Sequence, residues 1–331
     1  MSKIKFLSIL NATSIHQGGG RSILNEFNKI KFDKVYFDPR LKNRLVNSYL
    51  YKLYLEFILL FKSNKNTKIV YLSGTPPIFK SNSYIFCCFQ NCNIFFFCHH
   101  NLFHWFFSKD FFRYLYFCIF KNNVDLWIVF SDYAKNLLLK NNIKEYKIKL
   151  LNLYTPFTKK KKNKKKIFDF IYPASLLPHK NHINLIKALI ILANKGLYPK
   201  ILLTLNKNEI LTSGFLKFID QFKLKVTFKY FHNSINKGYE CSKALIYPSL
   251  RETVGLPLLE ASNNGLYILA ANRFYSKQFI KPLYIFDPLN PKNIAHKMRK
   301  FLIEKNFLTK TKLINHNINY LTIKKAKKLF L

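Results

Sequence analysis

The sequence predicts an α/β protein of two doubly wound domains, and three observations carry that reading. Its 331 residues exceed the usual single-core size of roughly 100–200 residues. Short apolar runs alternate with segments of helical spacing, twice over, which is the pattern of a parallel sheet covered by helices. Between the two series lies Lys159–Lys166, broken only by Asn163, a like-charge run that repels itself and stays solvated. Residues 1–157 are therefore expected to form the first domain, 158–166 a linker and 167–331 the second, with the last helix returning to the first.

In the first series, Lys3–Leu10 reads as a strand, Asn11–Gly20 as a glycine-ending loop and Arg21–Ile30 as a helix, with Ile23, Leu24, Phe27 and Ile30 on one face. Strands follow at Lys34–Phe37, Lys68–Leu72, Ile85–Phe89 and Leu126–Phe130, and helices at Leu41–Phe61, Phe106–Phe120 and Tyr133–Asn141. In the second series, strands are expected at Phe168–Tyr172, Lys200–Leu205, Lys225–Lys229, Ala244–Tyr247 and Leu266–Ala270. Helices are expected at His182–Lys195, Gly214–Phe222, Ile235–Cys241 and Pro257–Asn264. Paired sheets of this kind hold ligands at the carboxyl ends of their strands.

Fifty-five Lys and Arg against sixteen Asp and Glu give a net charge of +39, a field that attracts phosphates, anionic lipid and nucleic acid alike. No RNP-like segment, zinc-finger spacing or heptad run accompanies it, so nucleic acid is not expected as a partner. Six cysteines lie mostly in aromatic-rich stretches without a C-x-x-C pair and read as reduced core residues. Cys88, Cys92, His99 and His100 match no standard zinc spacing, so no metal is expected. The opening MSKIKFLSIL is too short in apolar residues for a secretory signal, which points to the cytoplasm. Polar residues interrupt Tyr84–Phe107 below the ~20 apolar residues a span needs. Phe103–Phe120, with Lys109, Arg113 and Lys121, is a candidate for peripheral contact with the inner face of the membrane.

The chemistry concentrates in Tyr247–Ser262, where a strand ends and a helix begins. Pro257 suits a first helical position, so Glu252 falls in the loop and Glu260 one turn inside the helix. Helical side chains lean toward the N-terminus, which aims Glu260 at the opening Glu252 lines. N–H groups from Val254 to Leu258, excepting Pro257, together with the Thr253 hydroxyl, offer a phosphate site. One carboxylate can accept ribose hydroxyls and the other sugar hydroxyls. The run Pro248–Ala261 resembles the family-4 retaining glycosyltransferases, whose signature is Pro-Ser, then E-[ST]-[FV]-G-L-P-x-x-E-A. The resemblance implies the GT-B fold, two Rossmann-like domains facing across a cleft, with a nucleotide-sugar as donor. It also assigns Glu252 to the donor sugar, Glu260 to the ribose, and Thr253 with the Val254, Gly255 and Leu256 backbone to the diphosphate.

Lys180, in Pro178-His-Lys-Asn-His182, precedes the helix at His182, with Asn181 as the expected N-cap. It resembles the family's diphosphate-binding lysine, and with Glu252 it forms the catalytic pair the resemblance implies. The arginine many members carry six residues earlier is Ala174 here, leaving Arg251, Arg273 or a first-domain residue to complete the clamp. Gly18, Gly19 and Gly20 follow the first strand and resemble the family's N-terminal glycine loop. On the acceptor side stand two polar clusters, Gln90-Asn91 and His99-His100. Tyr284–Pro288 resembles the family's late F-D-P turn. No D-x-D pair occurs, and GT-B enzymes generally use no bound metal, so no cofactor is expected beyond the donor substrate. Transfer to a glycan or lipid-linked acceptor, with retention, in cell-envelope polysaccharide synthesis is the implied activity. The alternative is a non-catalytic protein of the same fold that binds membrane surfaces or polyanions. A dehydrogenase would need G-x-G-x-x-G after the first strand, which Gly18–Gly20 does not supply.

Overall fold

The computed structural model describes residues 6–13, 15, 19–38, 48–72, 74–95, 108–152, 165–231, 235–304, 312–313 and 321–331. The chain divides into two compact units, Met1–Thr155 with Ile318–Leu331, and Pro156–Asn317.

The first unit opens with β1 (Leu7–Ala12), α1 (Gly19–Phe27), β2 (Lys34–Phe37), α2 (Ser48–Lys62), β3 (Thr67–Tyr71) and β4 (Tyr84–Cys88). It continues with α3 (Lys109–Phe120), β5 (Leu126–Val129), α4 (Asp132–Lys140) and β6 (Ile148–Asn152). These strands form a parallel sheet in the order β6-β5-β4-β3-β1-β2. Both α3 and α4 start where a serine side chain caps them, Ser108 accepting from the Phe111 N–H and Ser131 from the Ala134 N–H. Leu55 and Leu59 of α2 and Phe117 of α3 cover one sheet face, against Ile69, Ile85, Trp127 and Val129.

The second unit runs β7 (Phe168–Tyr172), α5 (His182–Ala193), β8 (Ile201–Leu203), α6 (Lys207–Ser213), α7 (Phe215–Gln221), β9 (Val226–Phe228) and α8 (Asn236–Glu240). Then come β10 (Ser242–Tyr247), α9 (Leu256–Asn263), β11 (Tyr267–Ala271), α10 (Phe274–Gln278), β12 (Ile280–Lys281), β13 (Tyr284–Phe286), α11 (Pro291–Ile303) and β14 (Lys312–Leu313). Its parallel sheet has the order β13-β11-β10-β7-β8-β9, and β12 pairs antiparallel with β14. Finally β15 (Leu321–Thr322) joins the first sheet beside β6, and α12 (Ile323–Phe330) carries Phe330 to within 5.5 Å of Phe27 and 5.2 Å of Phe86, ring to ring.

These orders fix where ligands can sit. From β7 the chain winds outward to β8 and β9, then returns to β10 on the other side, so the loops after β7 and β10 diverge to opposite faces. Such a switch point leaves a crevice at the carboxyl ends of the two neighbours. The first sheet has its own between β1 and β3.

Several expectations are corrected. The helix expected at Leu41–Phe61 is seen as Ser48–Lys62, with 39–47 outside the described residues. Strand β6 and helices α6 and α10 were not expected, and the strand expected at Lys200–Leu205 is only Ile201–Leu203. Most of the lysine run, through residue 164, lies outside the described residues; at its end Lys166 donates to the Glu240 carbonyl at 3.0 Å.

Candidate functional site

Lys180 and Glu252 meet at the switch point of the second sheet. Strands β7 and β10 are direct neighbours, and each ends in a tyrosine followed by proline: Tyr172-Pro173 and Tyr247-Pro248. Proline favours extended backbone before it and supplies no N–H to continue the ladder. Both loops therefore leave the sheet at the same level. Lys180 stands at the end of a short 3-10 turn, Pro178–Lys180, and Glu252 in the loop before α9. Their Nζ and Oε1 atoms are 2.6 Å apart, with side chains 17% and 13% exposed.

Four buried tyrosines tie down this pair and its loops. Tyr247 donates to the same Glu252 Oε1 at 2.8 Å, and Tyr172 donates to the Lys180 carbonyl at 2.6 Å. Tyr275 donates to the Ser249 carbonyl at 2.5 Å, and Tyr239 donates to Glu260 Oε2 at 2.7 Å. Burial raises all four phenols above their ordinary range, with the neighbouring carboxylates adding to it. They therefore serve as donors, not as bases.

Glu260 lies one turn into α9, as expected, and burial raises its carboxyl above the usual range, only partly offset by the Tyr239 hydroxyl. Its contacts are separate from those of Glu252: one carboxylate is held by Tyr239, the other by Lys180 and Tyr247. Leu256, not Pro257, begins the helix, and Gly255 precedes it at φ +73°. At that φ any L side chain is strained, and a Cβ would also press on Leu258 Cδ1 at 2.9 Å and Tyr275 Cδ2 at 3.2 Å, so the backbone of the turn calls for glycine. The Leu258 N–H, expected to be available, donates to the Gly255 carbonyl at 2.9 Å. Val254, Gly255 and Leu256 remain as the N–H groups at the helix start, where an α-helix offers no acceptor of its own. Val254 is buried and Thr253 half-buried.

Asn181 corrects another expectation. It precedes α5 in the left-handed region, φ 60°, but its side chain makes no capping bond. Its Nδ2 donates instead to the carbonyls of Pro248 at 3.1 Å and Pro288 at 2.7 Å, joining the loops after β7, β10 and β13. His182 beside it is buried between the rings of Tyr172 and Phe215, at centroid distances of 4.8 and 6.3 Å. Burial, reinforced by the Lys180 charge, pushes its pKa down to about 4, so the imidazole is neutral at pH 7. Glu209 completes the loop: one carboxylate oxygen accepts from the Leu176 N–H at 2.8 Å and the other from the Asn206 N–H at 2.9 Å. Ala174 is buried, and Arg273 donates to the Asn272 carbonyl at 3.1 Å.

In the first unit, Gly19 and Gly20 open α1, while Gly18 lies outside the described residues. A Cβ on Gly20 would stand 3.2 Å from Ile15 Cγ2 and 3.8 Å from Gln90 Oε1, which places Gln90 next to the glycine loop. Gln90 donates to the Leu72 carbonyl at 2.8 Å, and Asn91 follows it. His99 and His100 lie outside the described residues, as does Cys98. No group of three His, Cys, Asp or Glu among the described residues is placed to hold a metal ion.

Comparison with known proteins bears on the fold. Residues 155–317 match the family described as Glycosyl transferases group 1, a stretch that coincides with the second unit. No curated protein matches the chain by sequence. Among solved structures, Alr3699/HepE of Anabaena in complex with UDP and glucose is similar over 90% of this chain and 90% of its own, at TM-score 0.66 and 14% identity. A glycosyltransferase from Rickettsia africae is similar over 90% and 88%, at TM-score 0.61 and 15% identity. TarM of S. aureus gives TM-score 0.55 and 17% identity over 78% of this chain, which spans only 56% of TarM. The likeness extends over both units, and the fold is α/β of the GT-B kind.

Proposed function

We propose, from a second unit that matches the group 1 glycosyl transferases, that the protein moves a sugar from a nucleotide-sugar to a glycan or lipid-linked acceptor, with retention of configuration, in cell-envelope polysaccharide synthesis. The observation that carries this is the Lys180–Glu252 pair, joined at 2.6 Å at the switch point beside the start of α9. An ammonium has three donors, and Glu252 Oε1 occupies one. The others can reach a diphosphate seated on the Val254, Gly255 and Leu256 N–H groups. Fixed charge and backbone dipoles aimed at the leaving group stabilise it as its charge grows, without a bound metal. Glu260 accepts the ribose hydroxyls; burial raises its pKa and the Tyr239 hydroxyl offsets this only in part, so two further hydroxyls would favour the carboxylate. Glu252 receives hydroxyls of the sugar, and the departing phosphate helps take the acceptor's proton. Gly18, Gly19 and Gly20 are assigned to the donor phosphates, and Gln90, Asn91, His99 and His100 to the acceptor.

Relatives of the same fold support the substrate class. The HepE structure holds UDP and glucose, and the TarM structure holds UDP with α-GlcNAc-glycerol. The net charge of +39 supports an acceptor at the inner face of the membrane, and no helix among the described residues is long and apolar enough to cross one. The experiment is release of the free nucleotide, UDP, GDP, ADP or CMP, from the corresponding nucleotide-sugars, with and without membrane extract. Acceptor-dependent release from one nucleotide class, abolished in Lys180→Ala and unaffected by chelator, is expected. Binding of a nucleotide without any release or transfer would favour the non-catalytic alternative.

A further inference from the structure

The face of the first unit formed by α2 and α3 carries its polarity inside out. On α2, Leu50, Leu53, Tyr54, Phe57 and Phe61 are exposed, Phe61 by 71%. Their spacing of three and four residues places them on one stripe. The two central charges of the same helix turn the other way. Glu56, only 2% exposed, accepts from the Ile78 N–H at 2.7 Å, and Lys52 donates to Thr75 Oγ1 at 2.8 Å. Helix α3 lies alongside: Tyr116 donates to the Pro76 carbonyl at 2.9 Å, in the loop that Lys52 and Glu56 grip, and its ring is 5.8 Å from Lys52 Nζ. Its own outer side exposes Phe112, Leu115 and Ile119.

These eight large apolar side chains lie on the outer sides of two helices that cover the same sheet face and hold the same loop, beside the exposed cations Lys62, Lys109 and Arg113, the last paired with Asp110 at 3.0 Å. Scattered exposed apolar residues need no explanation, but two such stripes on helices of one face, with cations beside them, mark an interaction surface. We propose that this face docks on an anionic lipid bilayer, its aromatic rings entering the headgroup–acyl boundary and its cations meeting the lipid charges. Charge selects the occupant. A chain of net charge +39 repels a second copy of itself and is drawn to an anionic surface. The inference deepens the membrane part of the reading above and gives it a place, one that includes α2 as well as the segment around α3.

The test is flotation with vesicles of phosphatidylglycerol and phosphatidylcholine, against phosphatidylcholine alone, at low and high salt. The wild type is expected to float with the anionic vesicles, and Phe57→Glu/Phe61→Glu to lose about tenfold or more in partition with its melting temperature unchanged. Lys225→Glu, a charge change on the second unit, should alter partition less than about twofold. Tyr54→Trp should show added fluorescence quenching by brominated acyl chains, a readout that does not depend on the double variant folding. Equal flotation of wild type and double variant, or no added quenching of Tyr54→Trp, would overturn the proposal. A wild-type dimer that the double variant converts to monomer would assign the face to a second copy instead. Nucleotide-induced thermal shifts, measured in parallel, report on the donor site alone, so either reading can fail without the other.

Discussion

Lys180→Ala removes one half of an ion pair whose other half cannot readily reach water. The pair is 2.6 Å apart with both side chains less than one-fifth exposed, at 17% and 13%. Exposed pairs contribute about 0.2–1 kcal/mol, whereas stripping one partner from a fully buried pair costs about 3–5 kcal/mol. Glu252 keeps the Tyr247 hydroxyl at 2.8 Å, so the loss should lie between, at about 2–3 kcal/mol. A domain of this size shifts by about 2–4 °C per kcal/mol, which puts the fall in melting temperature at about 4–12 °C. Glu252→Gln should cost less, since the amide oxygen still accepts from Tyr247. Calorimetric melting of both single variants and of Lys180→Ala/Glu252→Gln closes a cycle, and the double variant should lose less than the sum by about 1–3 kcal/mol. A coupling below about 0.5 kcal/mol would mean that the two groups are solvated independently, and the site as described would be wrong.

Three further outcomes follow from the same geometry. Burial lowers His182 from 6.5 to about 4, so the folded state binds fewer protons than the unfolded one; stability is full above 6.5 and falls as pH drops toward 4, by about 3 kcal/mol in all. Urea titrations of the wild type and His182→Phe should diverge over that window, and parallel curves would refute the assignment. Glu260 has the opposite sign: its folded pKa is raised above 4.5, so its contribution is full below 4.5 and lost as pH rises through the folded value. Glu260→Gln should therefore flatten the decline above pH 4.5 while abolishing nucleotide binding; a steeper decline in the variant contradicts the burial argument. Asn181→Ala leaves the Pro248 carbonyl without its donor and the Pro288 carbonyl with Asn184 Nδ2 alone, and it puts alanine at φ 60°, which should cost about 2–3 kcal/mol, read by equilibrium unfolding. A cost under about 1 kcal/mol would show that water replaces the amide.

Much of this architecture could be read from local chemistry. Strands β2 and β7 run from Lys34 to Phe37 and from Phe168 to Tyr172 as their apolar runs imply, and Glu252 and Glu260 fall in the loop and helix that the proline-bearing motif implies. The short strand β6 escaped because Ile148–Asn152 carries Lys149 and Asn152 in only five residues, too few for a period to show. Helix α6 left a signal that went unread: Asn206 and Glu209 make a capping box, and Glu209 also fastens the loop of Lys180. The roles of Asn181 and the four tyrosines depend on partners up to 107 residues away, and no local pattern encodes them. The Tyr-Pro ends of β7 and β10 were the one local clue that two loops leave the sheet together. On α2, periodicity reveals two stripes but not which one faces in; only the contacts of Lys52 and Glu56 decide it.

The central claim, that a nucleotide-sugar diphosphate sits on the start of α9 against Lys180, is tested most directly by thermal shift of purified protein with UDP-, GDP-, ADP- and CMP-sugars, repeated on Lys180→Ala and Glu260→Ala. A ligand that binds the folded state raises its midpoint by mass action. The account predicts a rise with one nucleotide class that disappears in both variants. A rise that survives both substitutions, or none with any nucleotide while polyanions stabilise the wild type, would contradict it.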